Sequence, residues 1–208
     1  MEIGAWPDWV SALANVGVAG AAIVAVRQGI EGLTAWRREA VGRRRIELAE
    51  EVLADFYEVR DVLRWVRSPA AYGHESEGRP GRDQESEHTR HHRDTFYVPL
   101  KRLTDHAEFF AKMDARRYRV AANFGKDAAE PYDEIREIRA KISISAQALM
   151  RLDPANDDNR TAIRQEKLEE DVWEGNGADD VLASRIDEIV RKVEARFLPE
   201  FSYGAART

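Results

Sequence analysis

The chain has 208 residues, no cysteine, and 32 Lys plus Arg against 38 Asp plus Glu, for a formal net charge of −6. That length suits one domain with an appendage and is enough to bury a core without staples. The missing cysteine excludes disulfide scaffolds, cysteine zinc sites, iron–sulfur clusters and thiol nucleophiles. The acidic balance gives no strong nucleic-acid signal.

From Trp9 to Val26 the sequence reads WVSALANVGVAGAAIVAV, 18 residues without a charge. About 20 apolar residues cross a bilayer core, with a range near 17–25. Glu2 and Asp8 precede the run, while Arg27, Arg37, Arg38, Arg43, Arg44 and Arg45 follow it, against Glu31 and Glu39. Basic residues stay on the cytoplasmic side. The expectation is a transmembrane anchor over 1–27 in the inner cell membrane, single-pass, with the N-terminus outside and the bulk of the chain cytoplasmic. Trp6 and Trp9 would lie at the outer interface. An acidic n-region is unlike that of a secretory signal peptide. The competing reading is a buried core helix rich in Ala and Gly.

Gly17, Ala21 and Ala25 fall four residues apart on one helix face. Small residues at that spacing let membrane helices pack closely, and Asn15 can hydrogen-bond across such a contact. An Ala-rich helix also meets this pattern by chance. The arginines at 37, 38, 43, 44 and 45 fit a topology signal or contact with anionic lipid headgroups.

Residues 28–67 read as a linker followed by a first long helix from about Leu33. Its inward stripe is Ala49, Val52, Leu53, Phe56, Val59, Leu63 and Val66 at 3–4 spacing. The polar, breaker-rich stretch 68–93 predicts a mobile loop. The remaining helices occupy 94–208. One begins somewhere after Gly81, is clear from Pro99 to Phe124, with Pro99 at its first turn or at a kink, and stops at Gly125; another runs from Pro131 to Leu152. A short acidic helix follows over about Thr161–Glu174, and a last one over about Asp179–Leu198 is closed by Pro199. No segment alternates with period two for long enough to form a strand. The fold class is therefore all-α: a transmembrane helix followed by a cytoplasmic bundle of about four helices.

Chemistry is thin. His88 and His92 are four apart and would share a helix face, a spacing that suits zinc, but Thr89 stands where the metalloprotease pattern needs Glu. The alternative is a solvated loop or helix start. The stretch Arg82-Asp83-Gln84-Glu85-Ser86-Glu87-His88 resembles the short signature of HEPN-type ribonucleases, which are also small helix bundles. The resemblance implies that Arg82 steadies phosphate charge and His88 acts as acid or base. It covers seven residues, and that family carries its motif on a late helix rather than in an early polar stretch. His106 reads as a structural histidine. Arg116, Arg117 and Arg119 read as a solvated face, with an RNA patch as the alternative. Trp173 is expected to pack on the bundle. No phosphate loop, nucleophile elbow or dinucleotide fingerprint occurs, so no cofactor is expected.

The function expected from these residues is a membrane-tethered helical scaffold or complex subunit, acting by protein interaction and oligomerisation. Its partners would be the lipid bilayer, a second copy of the chain and a protein of unknown identity. The alternatives are a membrane-tethered HEPN-like ribonuclease and a pore-forming effector that closes a ring through the Gly17, Ala21 and Ala25 face.

Overall fold

The computed structural model describes the backbone of residues 8–153, 158–175 and 180–205, and the side chains there except those of 8–26, 29–32, 34–35 and 202–205. Among the described residues there are six α-helices and no strand: α1 (Asp8–Arg67), α2 (Glu87–Asp105), α3 (Ala107–Phe124), α4 (Glu130–Arg151), α5 (Asn159–Val172) and α6 (Val181–Ala205). Short 3₁₀ turns lie at Gly73–Ser76, Arg82–Gln84 and Asp127–Ala129. The chain divides into two units, 1–47 and 48–208.

In the first unit α1 begins at Asp8, so the backbone of the uncharged run is helical. Its side chains, including those of Asn15, Gly17, Ala21 and Ala25, lie outside the described residues, as does Trp6. No helix is long and apolar enough to cross a membrane among the described residues, and the candidate anchor is not among them. Further along this unit Leu33, Trp36 and Val41 are exposed, as are Arg37, Arg38, Arg43 and Arg44. Arg43 pairs with Glu39 at 2.9 Å, an exposed contact one helical turn long.

The second unit is a helix bundle. Hydrophobic spacing of 3–4 residues builds its main core: Val52, Phe56, Val59 and Leu63 from α1; Phe110, Met113 and Val120 from α3; Ile135, Ile138 and Ile142 from α4; and Ile186, Ile189, Val193 and Phe197 from α6. Each fully buried Ile or Phe is worth about 1.5–3 kcal/mol relative to exposure. A smaller cluster gathers Phe96, Ala146, Leu149 and Val172, with Trp173 packed against it. The expected docking of Trp173 onto the bundle is met here, its ring 6.1 Å from that of Phe96.

Local chemistry sets the helix ends. The Ser86 side chain accepts from the Thr89 amide and caps α2. Asp158 accepts from the amides of Arg160 and Thr161 and caps α5. Pro131 stands in the first turn of α4, where no helical N–H is lost. Gly125 ends α3 with φ +96°, a conformation that favours glycine.

Several boundaries differ from the sequence expectation. The N-terminal helix and the first long helix, expected as separate, are one helix in α1, and the stretch expected as one helix from Pro99 to Phe124 breaks at His106. The His106 ring is 2.9 Å from the Arg102 carbonyl through Nδ1 and ends α2 there. Helix α2 starts at Glu87, after Gly81 as expected though inside the stretch assigned to the loop, and continues through Pro99. Helix α6 likewise runs past Pro199 to Ala205 instead of closing there. Proline costs a helix one hydrogen bond and steric room. Burial of Pro99 in the bundle and of Phe197 in the main core retains both helices across that cost.

One buried arginine joins three helix ends. The Arg67 guanidinium, 1 % exposed, donates to the carbonyls of Glu170 (2.9 Å), Asp171 (3.2 Å) and Trp173 (2.9 Å), and to the Asp180 carboxylate (2.9 Å). The first three are orphan acceptors at the end of α5. Asp180 in turn accepts from the amides of Ala183 and Gly175. Burial would raise the Asp180 carboxyl, but these amides and Arg67 outweigh it and hold it below the usual range. The Glu174 amide closes the circuit by donating to the Arg67 carbonyl at 2.7 Å.

Candidate functional site

The polar stretch 68–93 carries the sequence-level candidates, and the structure gives it an interior of its own. Glu75, Ser76 and Arg79 are buried. The expectation of a bare loop rested on the scarcity of apolar residues. What holds the segment instead is charge.

Two arginines do the holding. Arg102 of α2 is 1 % exposed. It donates to the Glu75 carboxylate at 2.7 and 2.9 Å and to the carbonyls of Trp65, Ser68 and Ala70 at 2.7, 2.9 and 2.6 Å. Its guanidinium also lies 4.1 Å from the Trp65 ring centroid. The Arg102 hydrogen bond keeps the Glu75 carboxyl below the usual range, helped by the Tyr72 amide. Arg79 grips the Glu85 carboxylate through both Nη atoms and reaches Asp94 of α2 at 2.8 Å. Bidentate arginine–carboxylate contacts are the strong kind.

This lattice takes up Arg82 of the proposed catalytic pair but not His88. Arg82 donates to Asp94 at 2.8 Å, and its own carbonyl accepts from Arg90. His88 is exposed on the first turn of α2. No hydrogen bond or ring contact joins Arg82 to His88 among the described residues. The two candidate zinc ligands are also used differently. The His92 Nε2 lies 2.9 Å from the Leu149 carbonyl, and its ring meets Phe96 edge-on at 5.1 Å. Among the described residues no group of three ligand-type side chains is placed to hold a metal.

Beside the lattice, α2 and α4 leave a groove of about 400 Å³. Arg79 and Arg93 line one side, Gln147 and Arg151 the other, with Tyr97, Leu100 and Met150 between. None of its lining residues is acidic. Three arginines, Arg79, Arg82 and Arg93, share two carboxylates, Glu85 and Asp94. Hydrogen bonds from Arg79 and Arg93 hold the Glu85 carboxyl down at about 2, so it stays ionised at neutral pH.

A second polar spot lies in the main core. Arg116 of α3 reaches Glu51 at 3.0 Å and pairs with Asp55. Burial pushes the Asp55 carboxyl up, and Arg116 offsets part of that. One Asp55 oxygen and the Tyr132 hydroxyl are buried with no hydrogen-bond partner among the described residues. Arg116, Arg117 and Arg119 are thus not a simple solvated face. They cross-link helices through Asp55, Asp133 and Glu51.

Sequence reasoning missed Arg67, Arg79 and Arg102. Arg67 and Arg102 did leave a signal: each lies four residues after an inward apolar residue, Leu63 and Val98, and so on the same helix face. No known family, characterised protein or solved structure matches the chain.

Proposed function

We propose that this protein is a membrane-tethered scaffold or complex subunit whose bundle works by binding other proteins and copies of itself. The observation that carries the reading is the 18-residue uncharged run from Trp9 to Val26, with Glu2 and Asp8 before it and the arginines behind it. A helical backbone over that run supports it. At 1.5 Å per residue it extends about 27 Å, close to the thickness of a bilayer core. Exposed Leu33 and Trp36 among exposed arginines suit a boundary between lipid and water. Tethering acts through effective concentration: a bundle confined to a membrane meets partners and copies of itself more often. The small-residue face at Gly17, Ala21 and Ala25, with Asn15, is the proposed self-association contact.

The chain has no cysteine, so single introduced cysteines report topology without background. In intact cells an impermeant maleimide labels Gly4→Cys, and it labels Asn123→Cys only after lysis. The full chain stays in the pellet through alkaline carbonate extraction. Recovery in the carbonate supernatant, or equal labelling of both sites in intact cells, overturns the reading. Gly17→Leu lowers the copy number measured by light scattering in detergent if that face mediates assembly.

A further inference from the structure

We infer that the groove between α2 and α4 is a binding site for a phosphomonoester carried on an apolar body of nucleoside size. The inference is independent of membrane attachment, since every residue it uses lies in the second unit.

Charge is the first argument. Beside the groove Arg79, Arg82 and Arg93 are balanced by Glu85 and Asp94, with which they form ion pairs, and by Asp83, whose charge acts on Arg82. Arg151, exposed and without an ion pair among the described residues, leaves a surplus of one positive charge in a lining that holds no carboxylate. A phosphomonoester carries about −1.5 to −2 at neutral pH. Because Glu85 stays ionised, the surplus does not grow on mild acidification.

Donor geometry is the second. Arg93 spends only Nη1 on Glu85, at 2.7 Å, and keeps Nε and Nη2 for a ligand. The Tyr97 hydroxyl makes no hydrogen bond within the described residues. Arginine forks match phosphate oxygens two at a time. A network built only for stability would end in a closed set of pairs, as around Arg67 and Arg102. Here the donors outlast the acceptors and face a groove.

Shape is the third. About 400 Å³ lies within the range of small-molecule sites, roughly 300–1,000 Å³. Leu100 and Met150 give an apolar floor beside the Tyr97 ring. Inorganic phosphate would satisfy the arginines and leave that floor wet. The ordered 3₁₀ turns matter here: Arg79 and Glu85 tie the segment to α2 and so fix one wall.

Isothermal titration of the full chain, kept in mild detergent, tests the site with adenosine 5′-monophosphate, adenosine and inorganic phosphate as probes. The monophosphate binds with a sub-millimolar Kd that weakens as salt is raised. Adenosine and phosphate each bind at least tenfold more weakly. Arg151→Glu, at an exposed position, costs at least tenfold in affinity without moving the thermal midpoint, and Tyr97→Phe costs severalfold. No heat from the monophosphate at 5 mM overturns the inference. So does adenosine binding as tightly as its phosphate, or affinity that neither variant changes.

Discussion

Helix α4 and the segment 68–94 are both ordered parts of the second unit, yet opposite forces hold them. Helix α4 buries Ile135, Ile138, Ile142, Ala146 and Leu149 along one stripe. The hydrophobic effect holds it, and that force is non-directional and graded by area. Segment 68–94 has almost no apolar side chain to bury. Arg102 and Arg79 hold it by satisfying carboxylates and orphan carbonyls. The difference teaches that ordering by charge is all-or-none. A lost methyl weakens a core, whereas a lost guanidinium strands several buried acceptors at once.

The largest effect expected follows from that contrast. Arg102→Ala removes five hydrogen bonds at once and leaves the buried Glu75 carboxylate with only the Tyr72 amide, and should cost about 4 kcal/mol. Urea denaturation measures it, and amide exchange should speed up across residues 70–85. Ile138→Ala, fully buried in α4, should cost about 3 kcal/mol by leaving a cavity, without selectively exposing that segment. If Arg102→Ala proves milder than Ile138→Ala, or leaves exchange in 70–85 unchanged, charge does not hold the segment.

Acid sharpens the same comparison. Glu75 and Glu85 have carboxyls lowered in the folded state by their arginine hydrogen bonds, and Asp180 is lowered by its amides and Arg67. A depressed folded value gives stability that is complete above the unfolded value and is lost as pH falls toward the folded one. For Glu85 the window runs from an unfolded value of about 4.3 down to about 2. Asp55 acts in the opposite sense, since burial raises it and protonation favours the folded form. Stability measured at pH 7, 4 and 3 should therefore fall with acid, and Glu85→Gln should flatten the decline. A decline that Glu85→Gln leaves unchanged assigns it to other carboxylates.

Smaller effects complete the range. Ser86→Ala removes the cap of α2 and should cost about 1 kcal/mol by denaturant melting. Arg64→Ala removes an exposed pair with Asp187 at 3.1 Å and should cost under about 0.5 kcal/mol. A cost at Arg64 near that at Arg102 would mean that burial does not govern the worth of these arginines.

Much of the fold was legible. The stripes of α1 and α4 and the last helix from about Asp179 follow from spacing alone, because a 3.6-residue period is a local property. The stop at Gly125 follows from turn chemistry. The break at His106 was not legible, since apolar residues continue on both sides of it. Nor was the order within 68–93. Composition reports how much a segment can bury, not whether a distant arginine will reach it. The candidate site was read only in part. Of the residues the sequence pointed to, Arg82 serves Asp94 and His92 meets the Leu149 carbonyl. The groove itself needed two helices and a turn brought together.

By itself the sequence determined that the chain is helical, which faces of its helices turn inward, and that an uncharged run is followed by arginines. Tertiary structure alone decided which arginines are surface charges and which are buried clasps. Arg102 finds Glu75 at a separation of 27 residues, and Arg67 finds Asp180 at 113. Helical periodicity is written into neighbouring residues by backbone geometry. An ion pair depends on where two distant helices stop, and only the packed chain fixes that.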